Sequence, residues 1–196
     1  MLTDAWTWAP LYIALLFLII KNNDNMQQIC MCFGFALLCV AIASIMANVV
    51  VKPIVERPRP CNTLEVKYLA QIAGDMHSKD YSFFSSHAAN TMSLALFFAL
   101  LVKSRLLTVT LFVWSLTNCW TRLYLGQHYL TDIMVGIAWG LIAGALSYFI
   151  FRKVFHHISR SYKYVSSQYT KSGYSQLDVD VVVSVFVITI MVAFVY

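Results

Sequence analysis

Three short stretches of this 196-residue chain carry side chains whose types and spacing suit acid–base and nucleophilic chemistry on an anion. The first, KPIVERPRP (52–60), sets Lys52 and Arg59 seven positions apart, with prolines at 53, 58 and 60. The second, SFFSSHAAN (82–90), brings Ser85, Ser86 and His87 to the mouth of the apolar run TMSLALFFALLV. The third, TRLYLGQHYLTD (121–132), carries Arg122, then His128, then Asp132. Cations hold an anion, imidazoles act as nucleophile or general acid and base near neutral pH, and a carboxylate orients an imidazole.

Each residue also has an ordinary explanation. Lys52, Arg59 and Arg122 suit helix ends, where long basic side chains snorkel to a membrane interface or meet the negative pole of the helix. Ser85 suits an N-cap. His128 and Asp132, four apart at the start of a helix, suit a local stabilising bond. Read functionally, that same spacing lets Asp132 accept from Nδ1–H of His128, leaving Nε2 with a free lone pair as nucleophile or base. The prolines stiffen 52–60, because each fixes its own φ and biases its predecessor toward extended geometry, so Arg59 is held and aimed. The N-terminus of the helix opened by Ser85-Ser86-His87 presents unpaired N–H groups to an anion. Taken jointly, three cations, a helix N-terminus and two histidines suit a tetrahedral oxyanion.

The elements that must position these groups follow from composition. With 60% hydrophobic and 12% charged residues and a mean hydropathy of +0.68, the chain reads as a membrane protein. A hydrocarbon core of roughly 30 Å needs about 20 apolar residues per helix. Six apolar runs answer to that: 5–20, 28–51, 88–102, 106–124, 129–151 and 178–196. The expectation is an all-α, polytopic bundle of six transmembrane helices forming one domain over 1–196. The N-terminus lacks a basic region and contains Asp4, so the first run is expected to persist as a span rather than be cleaved. Trp6, Trp8 and Tyr12 are read as an interfacial aromatic belt. The five cysteines show no metal-site spacing except the Cys30-x-Cys32 pair, which has one intervening residue rather than two, and they are read mostly as apolar filler; a disulfide between Cys61 and Cys119, both toward one side, stays open.

Six spans divide the bases between two sides. One carries Lys21, Lys103, Arg105, Arg152, Lys153, Arg160, Lys163 and Lys171; the other carries Lys52, Arg57, Arg59, Lys67, Lys79 and Arg122. The first set is the larger, which makes its side cytoplasmic and places all three polar clusters outside. The net charge of +5 then serves topology and anionic headgroups and gives no reason to expect a nucleic-acid partner. Loop 152–177 either lies along headgroups or is a solvated connection, and its adjacent His156 and His157 do not face one another as a metal pair would. Loop 61–83 is read either as a lid over the site or as a plain ordered loop.

The three clusters together resemble the signature of the type 2 phosphatidic acid phosphatase superfamily of membrane lipid phosphatases: K-x6-R-P, then P-S-G-H, then S-R-x5-H-x3-D. Lys52, Arg59 and Pro60 match the first element, and Arg122, His128 and Asp132 match the third, with Thr121 in place of serine. In the second, Ser85 and His87 match while Phe84 replaces proline and Ser86 replaces glycine. Serine keeps the backbone N–H and adds a hydroxyl, although glycine would allow closer approach to a phosphate.

The resemblance implies hydrolysis through a phosphohistidine. Lys52, Arg59, Arg122, Ser85 and the Ser86 N–H would hold the phosphoryl oxygens, His128 would attack phosphorus, Asp132 would orient it, and His87 would protonate the leaving oxygen and then activate water. It implies no cofactor and no divalent metal, and the acidic residues Glu56, Glu65, Asp75 and Asp80 form no compact cluster for Mg²⁺. The expected partners are membrane lipids and a lipid phosphate, and the expected location is a bacterial inner membrane with the site facing outward. Undecaprenyl pyrophosphate is the favoured substrate on family analogy and the outward-facing site, with phosphatidylglycerol phosphate, phosphatidic acid and lipid A phosphate as alternatives. Vanadate-dependent halide oxidation, seen in soluble relatives, is disfavoured by membrane embedding. A non-catalytic lipid binder would gain nothing from an oriented nucleophile.

Overall fold

The computed structural model describes residues 4–63, 80–155 and 167–195. Most of loop 61–83, and His156 and His157, lie outside the described residues. Among the described residues the long elements are six helices: α1 (Ala9–Lys21), α2 (Met26–Ile45), α3 (Ser86–Val102), α4 (Arg105–Tyr124), α5 (Leu130–Phe155) and α6 (Gln176–Val195). The chain is an all-α, polytopic membrane bundle. By length and composition, Met26–Asn62, Leu130–Phe155 and Gln176–Ala193 are long and apolar enough to cross a membrane, and Trp6–Lys21 and Ser86–Val102 are shorter apolar helices. Helix α4 is the least apolar of the six, since it carries Thr110, Ser115, Asn118 and Arg122 on a buried face.

Local signals explain where the helices stop. Pro10 lies in the first turn of α1, where a missing N–H costs nothing. At its other end the Asn22 and Asn23 side chains donate to the carbonyls of Leu18 and Ile19, groups that a helix end leaves unpaired. Helix α2 widens into a π-helical turn over Met46–Val51 just before Pro53. A proline removes one backbone donor and crowds the carbonyl four residues earlier, here Val49, and the wider turn makes room. One further turn, Lys52–Val55, ends at Glu56 in the left-handed region (φ 48°), and the chain leaves it extended through Arg59.

The larger apolar core lies away from the three polar clusters and includes Leu11, Leu18, Phe97, Leu111, Trp114, Val179 and Val182. Trp8 belongs to this core. It is 1% exposed and packs edge-on against Trp114 and face-on against Phe186, whereas Trp6 is 89% exposed. The expected aromatic belt is therefore corrected at Trp8, because the 3-10 turn Ala5–Trp8 swings that ring inward. Outward faces carry Ile13, Val109, Leu146, Phe149 and Ile188, as helices apolar all round do when lipid surrounds them.

The closest helix pair is α3 against α5. Gly136, Gly140 and Gly144 recur every four residues, so they form one stripe along α5. A Cβ at these positions would lie 2.7 Å from the Ser85 carbonyl oxygen, 2.5 Å from that of Ala89 and 2.6 Å from that of Ser93. Hydrogen atoms in place of side chains let the two backbones touch, as small residues do at membrane helix interfaces. The start of α3, with His87, is thereby fixed against the start of α5, with Asp132.

Candidate active site

The C-terminal end of α2, the N-terminus of α3, the end of α4 and the start of α5 meet at one end of the bundle. Three backbone hydrogen bonds join the three sequence clusters there. Ser82 N–H donates to the Arg57 carbonyl (2.9 Å), Ser85 N–H to that of Asp132 (3.1 Å), and Cys61 N–H to that of Gly126 (3.1 Å). Residues as far as 65 positions apart in sequence, Cys61 and Gly126, are thus held in register by main-chain atoms, which side-chain substitution leaves in place.

The cations line this end. Lys52 is 9% exposed and Arg59 6%, and Arg122 is 8% exposed. Lys52 Nζ donates to Asn48 Oδ1 at 2.7 Å, one turn back on the same helix. Arg59 Nε donates to the Asp80 carbonyl at 2.9 Å. Its Nη1 and that of Arg122 both reach the Gln127 amide oxygen, at 3.4 and 2.9 Å. One neutral acceptor therefore sets the spacing of two guanidinium groups that would otherwise repel.

Gly126, with φ 61°, reverses the chain after α4. Its N–H bonds the Leu123 carbonyl and that of Gln127 bonds the Arg122 carbonyl, a helix ending that favours glycine because a Cβ resists positive φ. The reversal leads from Arg122 at the end of α4 to His128 just ahead of α5. His128 is 4% exposed, while His87, the second residue of α3, is exposed. His87 lies within electrostatic reach of Arg122, His128, Lys52 and Arg59.

The ring of His128 is oriented differently from the expectation. Its Nδ1 is 2.9 Å from the Ser82 carbonyl oxygen and 3.8 Å from Asp132 Oδ2, so the direct His128–Asp132 hydrogen bond is not formed. A carbonyl can only accept, which places the proton on Nδ1 and the lone pair on Nε2. Asp132 instead accepts from Ser82 Oγ (2.6 Å), from Tyr129 N–H (3.0 Å) and from Arg57 Nη1 (2.9 Å). Ser82 links the two, its hydroxyl bonding Asp132 and its carbonyl facing His128 Nδ1. The physical reason is that α5 begins at Leu130. His128 precedes the helix, so the four-residue spacing does not stack the two side chains, and Asp132 reaches back to the N-terminal N–H as a capping carboxylate does.

Ser85 serves as the N-cap of α3, its side chain accepting from Ala88 N–H at 3.4 Å. The Phe83–Phe84 peptide is cis, at the position where the family pattern carries proline. Cys61 and Cys119 are buried free thiols. All eight residues singled out from sequence, namely Lys52, Arg59, Ser85, Ser86, His87, Arg122, His128 and Asp132, fall at this one end. Sequence reasoning missed Arg57, Ser82 and Gln127. Arg57-Pro58 does repeat the Arg59-Pro60 dipeptide two residues earlier, and in extended chain alternate residues share a side.

Burial lowers the pKa of His128 below its ordinary value, Arg59 and Lys52 act in the same direction, and Asp132 opposes them. The neutral ring, with Nε2 available, therefore persists below pH 6.5. In ¹⁵N-histidine-labelled protein the His128 ring signals, assigned by their loss in His128→Gln, are expected to titrate with a midpoint below 6.5. A midpoint at or above 6.5 would show that the neighbouring carboxylate outweighs burial.

Residues 29–156 match the family model of the PAP2 superfamily. The chain is 35% identical over 148 residues to a protein of Bacteroides thetaiotaomicron named Lipid A 4'-phosphatase, covering 75% of this chain and 65% of that protein. It is 32% identical over 154 residues to the Lipid A 4'-phosphatase of Porphyromonas gingivalis, covering 77% and 64% respectively. The chain thus spans just under two thirds of the length of these curated relatives. Among solved structures, its fold is similar to that of a transmembrane PAP2 type phosphatidylglycerolphosphate phosphatase from Bacillus subtilis, with a TM-score of 0.50, 23% identity and 80% of each chain covered.

Proposed function

The chain belongs to the PAP2 superfamily, and from that premise we propose that it hydrolyses a phosphate monoester on a membrane lipid through a phosphohistidine, with a lipid A 4'-phosphate as its substrate. The observation that carries the reading is the buried His128, with its Nδ1 committed to a carbonyl and its Nε2 free, on the same end of the bundle as Lys52, Arg59 and Arg122.

In this reading Nε2 of His128 attacks phosphorus, and the P–O bond to the lipid breaks as the N–P bond forms. His87 gives its proton to the departing oxygen. It then takes a proton from water, whose oxygen attacks phosphorus and breaks the N–P bond, releasing inorganic phosphate and restoring His128. Lys52, Arg59, Arg122, the Ser85 hydroxyl and the Ser86 N–H meet the charge on the equatorial oxygens, the largest electrostatic demand of such a transition state. The exposure of His87 suits a group that must meet both a lipid leaving group and water.

A crevice of about 350 Å³ between α1, α2 and α3 supports a lipid substrate. Its walls include Leu15, Phe33, Leu37, Leu94 and Phe98, and the volume lies within the roughly 300–1,000 Å³ range of ligand pockets. Two polar residues, Asn90 and Thr91, also line it. They sit one helical turn from His87, whose carbonyl accepts from Thr91 Oγ1 at 2.9 Å. In this reading a lipid with its phosphate at the site places an acyl chain in this apolar crevice.

The names of the two curated relatives favour lipid A over undecaprenyl pyrophosphate, whose support is family analogy and an outward-facing site. Lys21, Lys103, Arg105, Arg152, Lys153 and Lys171 gather at the bundle end opposite the site, which supports an outward-facing site by the positive-inside rule. The test is phosphate release by purified protein from lipid A, phosphatidylglycerol phosphate, phosphatidic acid and undecaprenyl pyrophosphate, each in mixed micelles with excess EDTA. Lipid A is expected to lead in kcat/KM by about tenfold or more, a transition-state difference of about 1.4 kcal/mol. A lead for undecaprenyl pyrophosphate would replace the substrate. Release from none of the four, or release only after Mg²⁺ is restored, would overturn the mechanism.

A further inference from the structure

Arg57 stands outside the matched signature, yet it makes contacts that tie together distant segments at this end of the bundle. Its Nη1 donates to Asp132 Oδ1 at 2.9 Å and to Thr131 Oγ1 at 3.0 Å. Its guanidinium carbon lies 3.9 Å from the centre of the Tyr129 ring, within cation–π range. Its own carbonyl accepts the N–H of Ser82 at 2.9 Å. Ser82 in turn donates its hydroxyl to Asp132 and offers its carbonyl to His128 Nδ1. Arg57 thus grips both ends of the linkage that orients His128: Asp132 through its side chain and Ser82 through its backbone.

The side chain of Asp132 has no exposure, whereas that of Arg57 is 35% exposed. A carboxylate taken fully out of water is costly unless it is paired and hydrogen-bonded. Among the described residues three groups donate to Asp132, and two of them are neutral: the Ser82 hydroxyl and the Tyr129 N–H. Arg57 supplies the cation within hydrogen-bond distance. Without it, Asp132 would either take up a proton or turn toward water, and in each case Ser82 would lose its strongest acceptor.

We propose that Arg57 is a positioning residue for the nucleophile, clamping Asp132 so that Ser82 holds His128 with Nε2 aimed at phosphorus. The inference rests on the hydrolytic reading above. It assigns Arg57 no contact with substrate, which separates it from Lys52, Arg59 and Arg122. The planar fork matters as well as the charge, since one terminal nitrogen serves Thr131 and Asp132 while the flat face rests on Tyr129. A lysine would restore the charge and lose the stacked, forked geometry.

The test is steady-state hydrolysis of the best lipid substrate by wild type, Arg57→Gln, Arg57→Lys, Asp132→Asn and the Arg57→Gln/Asp132→Asn pair. For Arg57→Gln, kcat is expected to fall about 10- to 100-fold, the scale of a nucleophile misplaced by roughly 1 Å, with KM changed less than about threefold. Arg57→Lys should recover part of the loss. Because Arg57 acts through Asp132, the double variant should be no slower than Asp132→Asn alone, a departure from additivity that marks one linked unit. Unchanged kcat in Arg57→Gln, losses that multiply in the double variant, or a rise in KM with kcat kept would overturn the proposal. The KM result would make Arg57 a phosphate ligand instead. An inactive wild type, or a His128→Ala variant as fast as wild type, would bear on the hydrolytic reading and not on Arg57 separately.

Discussion

His128→Ala is expected to lower phosphate release by about 10⁴-fold or more while the protein still elutes as a folded species in detergent. Removing the nucleophile of a covalent route leaves only binding and electrostatic stabilisation, and losses of that order follow where nucleophile and base act as one unit. The structural cost should be small by comparison. The ring makes one hydrogen bond to the Ser82 carbonyl, and a bond of this kind contributes about 1 kcal/mol. Phosphate release and a thermal melt on the same preparation separate the two effects. A second check is acid-labile phosphate on the protein after a brief reaction, present in wild type and missing in His128→Ala. Turnover within tenfold of wild type would dismiss the phosphohistidine.

The second large effect is expected far from any reacting group. Gly140→Leu should separate α3 from α5 and lower activity by at least about 100-fold, together with a marked fall in melting temperature. The cause is steric. A Cβ at Gly140 would lie 2.5 Å from the Ala89 carbonyl oxygen and 2.9 Å from the Met92 Cβ, and a helix backbone cannot give way as a flexible side chain can. Gly140→Ala already overpacks the contact, at a cost of about 1–3 kcal/mol. Forcing the helices apart moves His87 and Ser85, at the start of α3, away from Asp132 and His128, and misplacement by about 1 Å is enough for a 100-fold loss. Ile142→Leu, two residues on and 54% exposed, should leave both measurements unchanged. A Gly140→Leu protein with wild-type melting and activity would show that the two backbones do not touch.

Much of this was legible from the chain. The scarcity of charge and the length of the apolar runs imply a membrane bundle, because each helix must hide its own backbone from lipid. Helix ends fell close to the expected places because their signals are local: Pro10, Ser85 and the Gly126 reversal act on their immediate neighbours. The three polar clusters were visible because ionisable groups are rare at membrane depth and stand out against their surroundings.

The misreadings have a common origin. Trp8 and Tyr12 are four apart at the start of the first helix, yet Trp8 is buried and Tyr12 is 38% exposed. Which ring turns inward depends on the positions of Trp114 and Phe186, on α4 and α6. Likewise the His128–Asp132 bond was inferred from helical periodicity, and α5 starts two residues too late for that periodicity to apply. Ser82, 46 positions before His128, supplies the acceptor instead.

By itself, then, the sequence determined the solvent, the helices, and the inventory of cations and imidazoles at their ends, since these follow from composition and from interactions within a few residues. Tertiary structure alone decided that Ser82 orients His128, that Gln127 spaces two arginines, and that Arg57 clamps Asp132. Those contacts join segments as far as 75 residues apart, and their geometry is set by how closely glycine-lined backbones can approach. No local spacing encodes that distance.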